Sequence, residues 1–281
     1  MRPAWSWAFQ EGALRDVPVH LPLDISPEWA WGDADGAGVR VAILDSGIDV
    51  DHPWVGPIEG AVAVEYDADA PSGVRFDEGP HEDLYGHGTA CAAIIRKIAP
   101  AAELHSVRVL GTRLTGKGFV FAAGLRWAIE HDMHVVNLSL ATGKRDYFAS
   151  FHRLADQAAF RRTMLVAALN NLPGASFPSE FSSVFSVASH DGTDPFSFDY
   201  NPSPPAEWGA PGIDLEVAWL GGATIQATGN SFATPHIAGI IARVLSKHPG
   251  LTPFQMKTVL MALAANASPR RGEDRTGAAG Q

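Results

Sequence analysis

Several features that would place this chain in other classes of protein are missing or scarce. Cys91 is the only cysteine among 281 residues, which excludes a disulfide-stapled scaffold. No apolar run approaches the roughly 20 residues that a membrane-spanning helix needs. Basic residues number 21 against 31 acidic ones, and no basic stripe offsets the net charge of −10. Neither a membrane nor a nucleic acid is therefore expected as a partner.

The first residues also lack the pattern of a secretory signal. Ser6, Gln10 and Glu11 interrupt the short apolar stretch after Arg2. A signal peptide requires a continuous apolar region of roughly 7–15 residues. We therefore expect a cytoplasmic protein, with a loop-rich N-terminal arm over residues 1–37 that packs on the core. The polar, glycine-rich tail over 267–281 is expected to be frayed.

Apolar runs alternate with segments of helical periodicity along the rest of the chain. This alternation implies parallel strands joined by right-handed crossovers. The predicted fold class is α/β, a single domain with a mostly parallel open sheet and helices on both faces. Strands are predicted at 39–45, 103–110, 134–140, 163–169 and 183–189, and helices from His87 onward and at 119–131, 147–161, 231–248 and 253–264.

Three residues have the pattern of nucleophilic catalysis. Asp45 ends the first strand in D-S-G-I-D, His87 opens a helix in G-H-G-T, and Ser231 opens another in G-N-S-F-A-T-P-H. Acyl transfer at neutral pH requires a hydroxyl nucleophile, an imidazole that takes its proton and a carboxylate that holds the imidazole. A serine at a helix N-terminus also gains from the free N–H groups there. Asn170, directly after a strand, is expected to add a side-chain N–H.

Taken singly, each of these residues would be interpreted as part of a turn or a helix cap. Their order along the chain, Asp then His then Ser, is that of subtilisin and differs from those of chymotrypsin and the α/β-hydrolases. From about Val39 to Leu263 the sequence resembles the subtilisin-like serine proteases, or subtilases. VAILDSGID, GHGT and GNSFATPHIAG are similar to the family's three motifs. The resemblance implies a subtilisin-like catalytic domain over residues 38–266, with Asn170 as the oxyanion asparagine.

The resemblance also implies where a peptide substrate binds. Two strands are expected to flank an extended peptide and to pair with it. Their residues are Leu114, Thr115 and Gly116 on one side and Ser139, Leu140 and Ala141 on the other. The bond between Phe177 and Pro178 is expected to be cis, as it often is in related subtilases.

Four positions depart from the usual pattern of the family. Asn230, before the nucleophile, replaces threonine, and Ala141, Leu169 and Ser176 replace glycines. Those glycines leave room for the side chain that precedes the scissile bond. Larger residues narrow that pocket, Leu169 most of all, so we expect cleavage after small residues such as Ala, Gly or Ser.

The sequence predicts no metal and no cofactor. Trp54 stands where family members often have a calcium-binding aspartate, and 92–100 contains no inserted calcium loop. His81, Glu82 and Asp83 are interpreted as a solvated loop. Cys91, one helical turn after His87, is interpreted as a small buried side chain rather than a nucleophile.

The predicted function is that of a serine endopeptidase, a cytoplasmic processing protease with restricted specificity for a precursor or leader peptide. Its expected partner is a peptide or protein substrate, and the sequence indicates no oligomeric state. Since the base must be neutral, activity is expected to rise through about pH 6–8. Two alternatives stay open: a peptide-binding pseudoprotease, and an esterase or amidase acting on small substrates.

Overall fold

The computed structural model describes residues 21, 22 and 24–267 of the chain. Its helices are α1 (Pro27–Ala30), α2 (His87–Ile98), α3 (Gly118–Glu130), α4 (Phe148–Phe160), α5 (Asn230–Lys247) and α6 (Pro253–Leu263). Its strands are β1 (Arg40–Asp45), β2 (Gly60–Tyr66), β3 (Val74–Glu78), β4 (Glu103–Arg108), β5 (Val135–Leu138), β6 (Met164–Ala168), β7 (Phe185–His190), β8 (Asp199–Tyr200), β9 (Trp208–Pro211), β10 (Leu215–Ala218) and β11 (Thr224–Ala227). None of the described helices is long and apolar enough to cross a membrane.

Nine strands form one sheet in the order β3-β2-β4-β1-β5-β6-β7-β9-β8, and β10 pairs with β11 in a separate hairpin. All pairs in the large sheet are parallel except β2–β3 and β8–β9 at its edges. The predicted α/β fold with a mostly parallel sheet is confirmed. The strands that the sequence analysis did not predict are mostly short or at an edge, as with β3, where only Val74 is buried.

Strand β1 shows why the sheet is covered on both faces. Val41 and Ile43 belong to the core cluster that contains α2 and α5, whereas Ala42 and Leu44 belong to the cluster that contains α3 and α4. Successive side chains of a strand point to opposite faces, so a strand in the middle of such a sheet is apolar throughout. This arrangement brings the carboxyl end of β1 close to the N-termini of α2 and α5.

The described part of the N-terminal arm lies against the C-terminal end of α5. The side chain of Ser26 caps α1 by accepting a hydrogen bond from the N–H of Trp29. The Trp29 ring stacks on His248 with ring centroids 4.3 Å apart, and Ala30 is fully buried in the core. The predictions for residues 1–20 and 268–281 concern parts of the arm and tail that lie outside the described residues.

Candidate active site

The end of β1 and the start of α2 bring the predicted carboxylate and base together. Asp45 is the last residue of β1, His87 is the first residue of α2, and both are buried. The Nδ1 atom of His87 lies 2.9 Å from each carboxylate oxygen of Asp45. A carboxylate in this position selects the tautomer with hydrogen on Nδ1, so that Nε2 can accept a proton.

The surroundings of His87 make it a strong base. Burial disfavours the imidazolium and by itself lowers the pKa of His87, but the charge and hydrogen bonds of the Asp45 carboxylate, together with the adjacent Cys91 sulfur, outweigh this effect. The net result raises the pKa of His87 well above its ordinary value of 6.5. A proton taken from a nucleophile is therefore held firmly until it is passed on.

A second buried carboxylate holds the His87 loop in place. Asp83 accepts hydrogen bonds from the N–H groups of Gly86 (2.8 Å) and Thr89 (3.0 Å) at the start of α2. It also accepts one from the hydroxyl of Ser46 (2.7 Å), the residue after Asp45. The prediction of a solvated loop is wrong for Asp83, which is 7% exposed, because these donors replace water around its charge.

Ser231 lies in the first turn of α5, next to the buried pair. It is half-buried, and the ring of the following residue, Phe232, has its centroid 5.1 Å from that of His87. Among the described residues, its backbone N–H and its hydroxyl have no hydrogen-bond partner, and no bond joins its Oγ to His87 Nε2. Such bonds are often long in free enzymes and tighten when substrate binds.

The structure places Asn171, rather than Asn170, beside Ser231. The Oδ1 atom of Asn171 accepts a hydrogen bond from the backbone N–H of Asn230 at 2.9 Å. A Cβ atom placed on Gly229 would lie 3.4 Å from both Asn171 Nδ2 and Ser231 Oγ. Within the described chain Asn171 Nδ2 donates no hydrogen bond. The amide of Asn171 thus borders the same space as the hydroxyl of Ser231.

The amide of Asn170 is occupied elsewhere. Its Nδ2 donates to the carbonyl of Ala175 at 2.7 Å. The structure therefore does not direct the predicted donor, Asn170 Nδ2, to Ser231. The chain stays paired with β7 beyond the end of β6, where Leu169 N–H donates to the Val187 carbonyl at 3.0 Å. Two adjacent asparagines follow this strand, and the resemblance alone assigned the role to Asn170.

Cys91 lies beneath these groups and is fully buried, which confirms its interpretation as a buried side chain. Its Sγ is 3.9 Å from Asp45 Oδ2 and 3.3 Å from the hydroxyl of Ser139. Burial raises the pKa of the Cys91 thiol, which disfavours the thiolate that nucleophilic chemistry requires. In the described part of the chain, the one group of three potential metal ligands is Asp45, His87 and Cys91 themselves.

The predicted substrate segments lie near this site but are not strands. Residues 114–116 and 139–141 are irregular, and Leu114 has a left-handed backbone with φ of 53°. A strand needs a hydrogen-bonded partner, and the partner expected here is the substrate itself. Just beyond, Thr142 forms an antiparallel bridge with Phe177, and the predicted cis bond between Phe177 and Pro178 is confirmed.

The residues named for a narrow pocket lie on three segments that meet. Asn170 N–H donates to the hydroxyl of Ser176 at 3.0 Å, and the bridge of Thr142 to Phe177 brings the segment after Ala141 alongside. The residue directly before the asparagine that borders Ser231 is Asn170. Counted back from Asn171, the position that the sequence analysis compared with the family's glycine is held by Asn170, a polar residue, rather than by Leu169.

Comparisons with known proteins agree with this geometry. The model of the subtilase family matches residues 36–279. The chain is 31% identical over 233 residues to the thermostable alkaline protease of Halalkalibacterium halodurans, matching 79% of this chain and 61% of that protein. It is 31% identical to subtilisin Savinase of Lederbergia lenta over 244 residues, matching 80% and 82%.

A solved structure is similar as well. It is that of a cold-adapted subtilisin-like serine proteinase, with a TM-score of 0.63, 25% identity, and 80% of this chain and 82% of that chain covered. The chain spans about three fifths of the length of the first curated relative that it matches. With an Asp, a His and a Ser brought to one site of a mostly parallel sheet in the family's order, this chain belongs to the subtilase family.

Proposed function

We propose that this chain is a serine endopeptidase that hydrolyses peptide bonds through an acyl-enzyme. The observation that carries the proposal is the buried pair of His87 and Asp45, with two contacts of 2.9 Å. Next to it lies a serine at a helix N-terminus whose N–H and hydroxyl bond to none of the described residues. A nucleophile, a base and an orienting carboxylate in this arrangement perform acyl transfer.

The reaction follows from the positions of these groups. Ser231 Oγ attacks the substrate carbonyl while His87 Nε2 takes the hydroxyl proton. The resulting oxyanion accepts hydrogen bonds from Ser231 N–H and Asn171 Nδ2. When the C–N bond breaks, His87 gives its proton to the leaving amine. Water then attacks the acyl-enzyme by the same route, with His87 again as base and acid, and frees the carboxyl product.

The carboxylate of Asp45 lowers the energy of the charged intermediate. It stabilises the imidazolium that forms in each half of the reaction, which is consistent with the raised pKa of His87. The thiol of Cys91 packs below and takes no proton in this scheme.

The substrate we propose is a peptide with a small residue before the cleaved bond. Asn170 and Ser176, joined by a hydrogen bond of 3.0 Å, and Ala141 on the adjoining segment support a pocket with little room for an aromatic ring. Overpacking a well-packed site costs about 1–3 kcal/mol. Since 1.36 kcal/mol is tenfold in rate, substrates with Phe or Tyr at this position should be cleaved roughly 5–150-fold more slowly.

The first experiment combines an active-site label with turnover. A fluorophosphonate should modify wild-type protein at Ser231, and Ser231→Ala should abolish both labelling and peptide hydrolysis without unfolding the chain. Absence of both labelling and cleavage of any peptide in a library would favour the peptide-binding pseudoprotease. Hydrolysis of short esters alone would favour the esterase or amidase.

A second experiment decides between the two asparagines. Asn171→Ala should lower kcat by about 10²–10³-fold, the effect of removing one oxyanion donor in a subtilisin. Asn170→Ala removes the same group from the neighbouring residue, and because Asn170 borders the proposed pocket it should change KM and the preference before the cleaved bond more than kcat. Equal losses in both variants would contradict the assignment to Asn171.

The same peptide library tests the processing role. Mass spectrometry of its products should show cleavage at few sites, each preceded by Ala, Gly or Ser. Cleavage after Phe or Leu as fast as after Ala would refute restricted specificity. A cytoplasmic location stays a prediction from the sequence, and fractionation of cells that express the tagged chain tests it.

A further inference from the structure

The residue before the nucleophile makes an unusual set of hydrogen bonds. The Oδ1 atom of Asn230 accepts from both the N–H (2.9 Å) and the hydroxyl (3.0 Å) of Ser189, near the end of β7. Its Nδ2 group donates to the carbonyl of Leu169 at 3.1 Å and contacts that of Asn170 at 3.4 Å, just after β6. One side chain therefore joins the first turn of α5 to the ends of two neighbouring strands.

The backbone of Asn230 acts on the amide of Asn171. Its N–H donates to Asn171 Oδ1 at 2.9 Å, and only an oxygen can accept this bond. The orientation of the Asn171 amide is thereby set, with Nδ2, which donates to no described residue, on the side of Gly229 and Ser231. A reversed amide would place two donors against each other.

We propose that Asn230 is a positioning residue, whose side chain fixes the backbone of 169–171 and thereby holds the Asn171 amide against the nucleophile. This inference rests on the proposed function, because it concerns the oxyanion donors of that reaction. Asn230 is also one of the positions at which the sequence departs from the usual pattern of the family, which has threonine there. A threonine hydroxyl is too short to bond two strand ends at once and offers a single donor.

The physical reason is the short distance over which such donors act. Donors stabilise an oxyanion only near 2.7–3.1 Å from it, and a misplacement of about 1 Å can cost 10²-fold in rate. Residue Asn171 is exposed and lies in a loop, so its own packing holds it weakly. The hydrogen bonds of the Asn230 side chain instead hold this loop in place, because they join it to the rigid end of the sheet.

The test is a double-mutant cycle between Asn230 and Asn171. Asn230→Ala removes every side-chain bond described above but keeps the backbone N–H. We expect about 10–100-fold lower kcat with KM within about threefold, and a matching fall in the rate of fluorophosphonate labelling. In the Asn171→Ala background the same change should lower kcat by less than about threefold, because the group that it positions is gone.

A matched control separates positioning from stability. Asn201 makes three comparable bonds in a loop: its Nδ2 donates to the carbonyls of Ser203 and Ala206, both at 2.8 Å, and its Oδ1 accepts from Ser203 N–H at 3.0 Å. Asn201→Ala should lower the melting temperature without changing kcat. If Asn230→Ala does not fold, Asn230→Thr serves in the cycle, with an intermediate loss of kcat expected.

The possible outcomes separate this inference from the proposed function on which it rests. Ser231-dependent turnover that is unchanged by Asn230→Ala, or losses that add fully in the cycle, would overturn the positioning role and leave the protease intact. Turnover that survives Ser231→Ala would overturn the proposed function itself, and with it the role of Asn230.

Discussion

Removing the carboxylate of Asp83 should destabilise the whole protein. Its Oδ1 accepts from Ser46 Oγ (2.7 Å), Tyr85 N–H (2.9 Å) and Gly86 N–H (2.8 Å), and its Oδ2 accepts from Thr89 N–H (3.0 Å) and Thr89 Oγ1 (2.6 Å). Asp83→Ala leaves three backbone donors without an acceptor. The two hydroxyls can rotate toward other partners, so they add little to the loss.

The magnitude follows from those three donors. Each buried donor left unpaired costs about 1–3 kcal/mol, and water can reach part of the gap because Tyr85 is exposed. We expect the free energy of unfolding to fall by about 3–5 kcal/mol in Asp83→Ala. At about 2–4 °C for each kcal/mol in a protein near this size, the melting temperature should fall by about 6–20 °C.

The assay is thermal and urea unfolding followed by circular dichroism, with Asp77→Ala as control. Asp77 also bonds a partner, the Arg75 guanidinium at 2.8 Å, but its side chain is 46% exposed on edge strand β3. A surface pair of this kind contributes about 0–1 kcal/mol. A loss of less than 1 kcal/mol in Asp83→Ala, or equal losses in the two variants, would refute the reasoning.

Three further predictions concern pH and metal. Burial lowers the pKa of His87, but the Asp45 carboxylate raises it by more. The acid limb of kcat/KM should therefore lie above pH 6.5, higher than an isolated histidine implies, and Asp45→Asn should move it down. A wild-type limb at or below pH 6.5 would contradict this. Burial lowers the pKa of His236 to about 4, so the unfolded chain binds a proton near pH 6.5 that the folded chain does not. The free energy of unfolding should therefore decrease by about 3 kcal/mol as the pH falls from 6.5 toward 4. In urea unfolding, His236→Gln should show a weaker dependence of that free energy on pH. EDTA should change neither activity nor melting temperature, and a fall of several degrees that calcium restores would reveal a metal site.

The pattern of apolar runs was sufficient for the central part of the fold. Strands such as β1 and β6 are continuous apolar runs because helices cover them on both faces, and this burial is visible in the sequence. The edge strands could not be recognised in this way, since β3 has one buried residue and β8 is only two residues long. Their pairing depends on neighbours that no local pattern encodes.

The roles of Asp45, His87 and Ser231 could be proposed from the sequence because each lies in a distinct motif and their order is characteristic. A helix start or strand end also fixes where such a residue lies to within one or two positions. The choice between Asn170 and Asn171 depends on more than that. It depends on how far the chain stays paired with Val187 before it turns, and that pairing joins residues distant in sequence.

Burial decided the remaining assignments. Asp83 looks like any acidic loop residue in the sequence, and only the folded chain surrounds its carboxylate with the donors of Ser46, Gly86 and Thr89. The same holds for Asn230, whose three side-chain partners lie at the ends of two other strands. The sequence by itself determined which chemical groups are present and in what order, whereas the tertiary structure decided which of them touch. Those contacts are long-range hydrogen bonds, and they exist only once β6, β7 and α5 have packed together.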